Sequence, residues 1–152
     1  MNNFEEINNY GGLFLTKLYE PSDNSLEIEV RESFTSPLST DVVVGEKTIK
    51  DCYEVSINEY GTSFNISFIN YVAYQVLNES FYSFRENENY VAGKYSTFCI
   101  FSESSYRDFV LKETYADEIF PKELRHYGLY CQNHIVHIIA LNEPEITKNG
   151  SA

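Results

Sequence analysis

The run "SFNISFINYVAYQVLNES" (residues 63–80) is the longest β-like stretch of the chain, and its reading sets the fold. Side chains alternate along a strand, so Phe64, Ile66 and Phe68 share one face and Ser63, Asn65 and Ser67 the other. From Ile69 onward both faces turn apolar or aromatic, which predicts a central strand, bent or bulged near Asn70.

Shorter segments on either side repeat the pattern. "LFLTKLYE" reads as a first strand ended by the turn-forming "PSDNS", and "LEIEVRESF" alternates with Leu26, Ile28 and Val30 inward. "TSPLSTD" breaks the pattern, and "TIKDCYEVSINEYG" resumes it with Tyr53, Val55 and Ile57 inward. "RENENYVAG" is an acidic loop leading into the strand "KYSTFCIFSES". One convincing helix lies in "SSYRDFVLKETYADEIF", where Ser105 and Asp108 make a capping-box pattern, and Pro121 ends whatever follows. A short helix within residues 3–10 is a weaker candidate. The sum is an α+β domain: a curved, mainly antiparallel sheet of about six or seven strands with one or two helices packed on one face. Residues 1–146 form a single domain, followed by a flexible tail over residues 147–152.

The chain has 152 residues, enough to bury a core without metal or disulfide staples. Its 13 Tyr and 11 Phe lean toward β structure. No apolar run reaches a membrane-spanning length, and "MNNFEEINNYGG" is not a signal peptide. Three cysteines at unrelated spacings read as reduced thiols of a cytoplasmic protein. The formal charge is −12, and residues 1–90 hold 15 acidic against 5 basic side chains. Such a surface repels nucleic acid and anionic membrane and attracts a basic partner.

The three histidines, His126, His134 and His137, fall within twelve residues of "HYGLYCQNHIVHIIALNEPEI". "GLYC-QN-HIVHIIAL" reads as two strands around a Gln132–Asn133 turn, with Asn suited to positive φ. His134 then lies with Val136, Ile138 and Ala140, and His137 on the opposite face with Ile135, Ile139 and Leu141. The two cannot share a metal, and no paired zinc spacing is present. The cluster reads as architecture, with His137 a polar core residue. Cys99 and Cys131 sit in strand interiors, where a cysteine is a small hydrophobe rather than a nucleophile. No catalytic, cofactor or metal residue is assigned.

Two other groups of residues are candidates for function. Glu79, between Leu77 and Phe81, is a candidate partly buried carboxylate with Arg85, Arg107 or Arg125 as partner. Glu86, Glu88 and Tyr90 make an acidic, aromatic loop suited to a protein–protein surface facing a basic partner.

The order "NYVAYQVLNESF", "KYSTFCIFSESSYRDFV", "LRHYGLYCQNHIVHIIALNEPEI" resembles small bacterial proteins with an aromatic-rich α+β domain. In size and acidity these are similar to immunity proteins, which neutralise secreted or contact-delivered toxins. The resemblance covers about residues 68–146, lies in core-like segments, and brings no functional residue with it. It implies a non-enzymatic cytoplasmic protein that blocks a basic toxin domain, a nuclease among the candidates. A reading from another class is a pocket for a small ligand, with or without enzymatic activity. Tyr71, Tyr74, Phe98 and Phe101 would line it, and Glu79 or His137 would supply the polar contact. A third reading is a structural component of a larger assembly.

Overall fold

A computed structural model describes residues 3–86, 88–120 and 124–150 of the chain. The described residues are mostly antiparallel sheet with three short α-helices. The single curved sheet expected from the alternation is divided into three. Strands β1 (Phe14–Tyr19), β2 (Ser25–Arg31), β5 (Ser63–Ile69) and β11 (Glu145–Asn149) form one sheet in the order β1-β2-β5-β11. Strands β6 (Tyr71–Asn78), β10 (His134–Ala140), β9 (Arg125–Tyr130), β8 (Phe98–Glu103) and β7 (Asn89–Ala92) form a second, in that order. Strands β3 (Ser33–Val44) and β4 (Lys47–Ile57) pair only with each other.

The first two sheets pack face to face. Leu26, Ile28, Val30, Phe64, Ile66 and Phe68 of one meet Phe98, Tyr127, Leu129, Val136 and Ile138 of the other in a single core. Phe68 and Tyr127 join the sheets edge to face, ring centroids 5.3 Å apart. Each such side chain contributes about 1.5–3 kcal/mol of burial. The alternation of β2 and β5 is therefore borne out. The helix α2 (Ser105–Glu113) covers the outer face of the five-stranded sheet through Val110, packed with Ile139 and Leu124. Strand β10 is thus buried on both faces, in an interior place between β6 and β9. Strand β6, expected to be central, is an edge, with Val76 exposed.

The two sheets share one continuous piece of chain. Asn70 stands alone between β5 and β6 with φ +58°, and there the chain leaves one sheet and enters the other. The corner keeps its backbone partners: Tyr71 N donates to the Asn24 carbonyl, and the Asn70 carbonyl accepts from Leu141 N. Two buried or half-buried asparagines extend sheet pairing where strands run out. Asn8, fully buried just beyond α1 (Asn3–Ile7), accepts from Phe98 N at 3.0 Å and donates to the Phe98 carbonyl at 2.9 Å. Asn133 does the same for Leu15, with both contacts at 3.0 Å. Asn133 is not at positive φ, in contrast to the expectation. Its side chain is used instead, and it ties the β9–β10 turn to β1.

Several expectations are corrected. Pro37 does not break the chain: β3 runs through it, with a register shift between Thr35 and Ser39. A two-stranded ribbon has free edges where a residue without an N–H is tolerated. Tyr53, Val55 and Ile57 are not inward but 55%, 42% and 36% exposed, because no layer of the described residues covers that ribbon. Residues 147–149 are not a tail: they belong to β11 and pair with Asn65, Phe64 and Ser63. The helix cap lies one residue earlier than read, with Ser104 Oγ accepting from Arg107 N. Residues 89–92 of the acidic loop are the edge strand β7. Pro121 lies outside the described residues.

Asn70 is exposed, so its replacement reports on backbone strain alone. We expect Asn70→Val to lower unfolding stability by about 1–2 kcal/mol, since a β-branched residue resists positive φ, while Asn70→Gly stays close to the parent. Urea denaturation of the two variants measures the difference.

Candidate functional site

The outer face of the five-stranded sheet carries the only buried chain of polar side chains that leads to an open cleft among the described residues. Pairing of Ile135 with Tyr130 sets His137 opposite Gly128 and His126 opposite Ile139. His126 and His137 therefore share a face as diagonal neighbours on adjacent strands, while His134 lies on the other, as the alternation requires. His126 Nε2 is 2.8 Å from His137 Nδ1, and His126 Nδ1 is 2.6 Å from Ser104 Oγ. Ser104 is the N-cap of α2, so the relay joins a helix terminus to the sheet.

One arrangement of hydrogens pairs every donor of this relay except the last. Ser104 Oγ already accepts from Arg107 N, and its own hydrogen has one acceptor within reach, His126 Nδ1. With the Ser104 hydroxyl hydrogen spent on His126 Nδ1, His126 Nε2–H donates to His137 Nδ1 and His137 carries its hydrogen on Nε2; the opposite tautomers run the chain the other way. Aromatic rings enclose the pair. Phe101 stacks on His126 at 4.2 Å, Tyr106 approaches both imidazoles, and Tyr82 and Tyr130 flank His137.

Burial decides the charge of the relay. It pushes the His126 pKa down to about 3, with His137 and Arg107 adding to the effect. It pushes His137 down to about 4, opposed by Glu88 and assisted by Arg85. Both rings are neutral at pH 7. A general base works best with a pKa near the working pH, so imidazoles this acidic are weak bases, and Ser104 is committed to its cap. The arrangement presents a neutral, hydrogen-bonded imidazole pair rather than an activated nucleophile. The thiols of Cys99 and Cys131 are each pushed up to about 12 by burial, which leaves them protonated.

Above His137 lies a cleft of about 860 Å³, walled by Leu77, Phe81, Tyr82, Tyr106 and Phe109 and edged by Gln75, Arg85 and Glu88. Glu88 Oε1 accepts from the backbone and hydroxyl of Ser105, and Arg85 Nη1 donates to the same hydroxyl at 2.7 Å. Among the described residues no group of three His, Cys, Asp or Glu side chains is placed to hold a metal ion.

The expected site residues divide. His137 is a buried polar residue, 4% exposed. Glu79 is on the surface at the start of a 3-10 turn (Glu79–Phe81), because the strand ends at Asn78, whose side chain caps that turn. Its expected partners bind elsewhere: Arg85 to Ser105, Arg107 to the Leu124 carbonyl, Arg125 to Glu143. Glu86 and Tyr90 are exposed, and Glu88 is half-buried at the cleft. Tyr71 and Tyr74 pack against the core, Phe98 lies within it and Phe101 covers His126, so none of the four lines the cleft. The contact between His126 and His137 was readable in principle, since a turn at Gln132–Asn133 already fixes the pairing that brings them together.

No family model matches the chain, and neither a curated protein nor a solved structure matches it.

The two imidazoles make stability depend on pH. Their pKa values in the folded chain lie below the unfolded value near 6.5, so between pH 6.5 and about 4 the unfolded chain binds more protons and acid favours it. Stability is full above pH 6.5 and falls on acidification, by about 2 kcal/mol per imidazole at pH 5. Neutralising carboxylates of a −12 chain acts in the opposite direction, which makes the sign informative. Urea unfolding at pH 7 and pH 5 should show the fall, and His137→Gln should reduce it by about half.

Proposed function

We propose that this chain is a non-enzymatic binding protein of the toxin-immunity type, which neutralises a basic toxin domain by direct protein contact. The observation that carries the reading is the β3–β4 ribbon. It extends the β2–β5 pair beyond the sheet, its base held where Glu32 N meets the Thr62 carbonyl and Asn58 N meets the Glu32 carbonyl. Tyr53, Val55 and Ile57 lie opposite Ser39, Thr35 and Ser33, so an apolar stripe runs beside small hydroxyl side chains and stays uncovered. A lone two-stranded ribbon is marginal in water, and an exposed apolar stripe of this length fits a surface that is covered in a complex.

Charge supports the choice of partner. With −12 overall, the surface speeds encounter with a cationic domain, and a nuclease active site, built to attract phosphate, is one such surface. The partner meets aromatic and β-branched anchors on the ribbon and carboxylates around it, with Glu86, Glu88 and Tyr90 as a second acidic contact. No helix among the described residues is long and apolar enough to cross a membrane.

The test takes the products of the adjacent genes, and the reading expects one of them to be a basic protein that is toxic when expressed alone. We expect nanomolar binding and protection of growth. The triple variant Tyr53→Ser, Val55→Thr, Ile57→Thr should weaken binding by roughly 100-fold while leaving sandwich stability unchanged. Glu86→Lys with Glu88→Lys should slow association by roughly tenfold at low salt. Unchanged affinity in the triple variant rules out the ribbon as the contact, and an unchanged rate in the lysine variant removes the acidic loop from it.

A further inference from the structure

The cleft over His137 has features that a protein-contact role for the ribbon does not use. Its floor holds the His137 ring, 4% exposed, whose Nε2 has no hydrogen-bond partner among the described residues. The relay makes that atom a donor when Ser104 gives its hydrogen to His126 and His126 gives one to His137, the arrangement that leaves the Ser104 hydroxyl hydrogen paired. The walls beside it are the rings of Tyr82 and Tyr106, with centroids 5.9 and 5.7 Å from the His137 ring, and Phe81 stands exposed at the mouth. The two charges at the edge, Arg85 and Glu88, are both engaged by Ser105 and offset one another. A volume of about 860 Å³ is ample for a small molecule.

We propose that this cleft binds an uncharged planar heteroaromatic ring that accepts a hydrogen bond from His137 Nε2–H. Flat faces suit the aromatic walls, whose rings pair favourably with another ring in offset or edge-on geometry. An in-plane acceptor, such as a ring nitrogen or an amide carbonyl, uses the unspent donor. A net charge on the ligand would enter a cleft whose own charges already cancel and whose floor is neutral, at a desolvation cost with no counter-ion in return. The site is independent of the ribbon, and it shares only Glu88, at its edge, with the acidic contact proposed above.

The probes are nicotinamide and uracil, with nicotinate as the charged counterpart of the same ring and toluene as a ring without an acceptor. Long-range proton–nitrogen spectra of the uniformly labelled full chain report the histidine tautomers and binding together. We expect both His126 and His137 as Nε2–H tautomers in the free chain. Nicotinamide or uracil should shift the His137 Nε2 signal at millimolar concentration and bind roughly tenfold tighter than nicotinate or toluene, the worth of one neutral hydrogen bond. His137→Phe should remove that advantage. Tyr82→Leu, which leaves the relay intact, should weaken binding of both acceptor probes. An Nδ1–H tautomer at His137, an unmoved His137 signal with both acceptor probes, or equal binding of toluene and nicotinamide overturns the proposal.

Discussion

The architecture turns on one residue in left-handed backbone geometry. At Asn70 a chain that has paired with β2 and β11 becomes a strand that pairs with β10, and this transfer lets one continuous run serve both sheets of the sandwich. A straight continuation would keep residues 71–78 in the first sheet and leave β10 without its outer neighbour. The core then forms from two inner faces, each written as simple alternation, and α2 closes the far side of the second sheet. Asn8 and Asn133 complete the design by lending side-chain amides to backbone positions that no strand reaches.

Alternation made the faces of β2 and β5 legible, because Leu26, Ile28 and Val30 and then Phe64, Ile66 and Phe68 leave little choice of inward side. The same signal failed at Tyr53, Val55 and Ile57. Their period is identical, yet alternation says only that one face differs from the other, not that anything stands over it. Sheet membership is a long-range property, so the bend at Asn70 was visible while the change of sheet was not. Shortness hid β7, whose Tyr90 and Val91 are strand formers behind a run of polar residues, and polar residues hid β11, which is ordered by its pairing with β5. Glu79 was misplaced because Leu77 and Phe81 flank it, whereas the strand ends one residue before it and Phe81 points to solvent.

The histidine cluster shows how burial selects among the roles open to an imidazole. Ser104, His126 and His137 are spaced like a proton relay, but a low-dielectric setting holds both rings neutral and their basicity low. What survives is connection: a hydrogen-bonded chain runs from Ser104 through both rings, and His137 at its end lines the cleft. The relay also links the cap of α2 to β9 and β10, so the outer helix is registered on the sheet by polar contacts as well as by Val110 and Ile139.

The proposed recognition role rests on the claim that the β3–β4 ribbon is a contact arm rather than part of the folded core. Hydrogen–deuterium exchange of the chain, alone and bound to its basic partner, addresses this most directly. The account predicts fast exchange across residues 33–57 in the free chain against slow exchange in β2, β5 and β10, with protection of the ribbon appearing on binding. A ribbon already as protected as those strands in the free chain, or one that exchanges as fast in the complex as without it, would contradict the account.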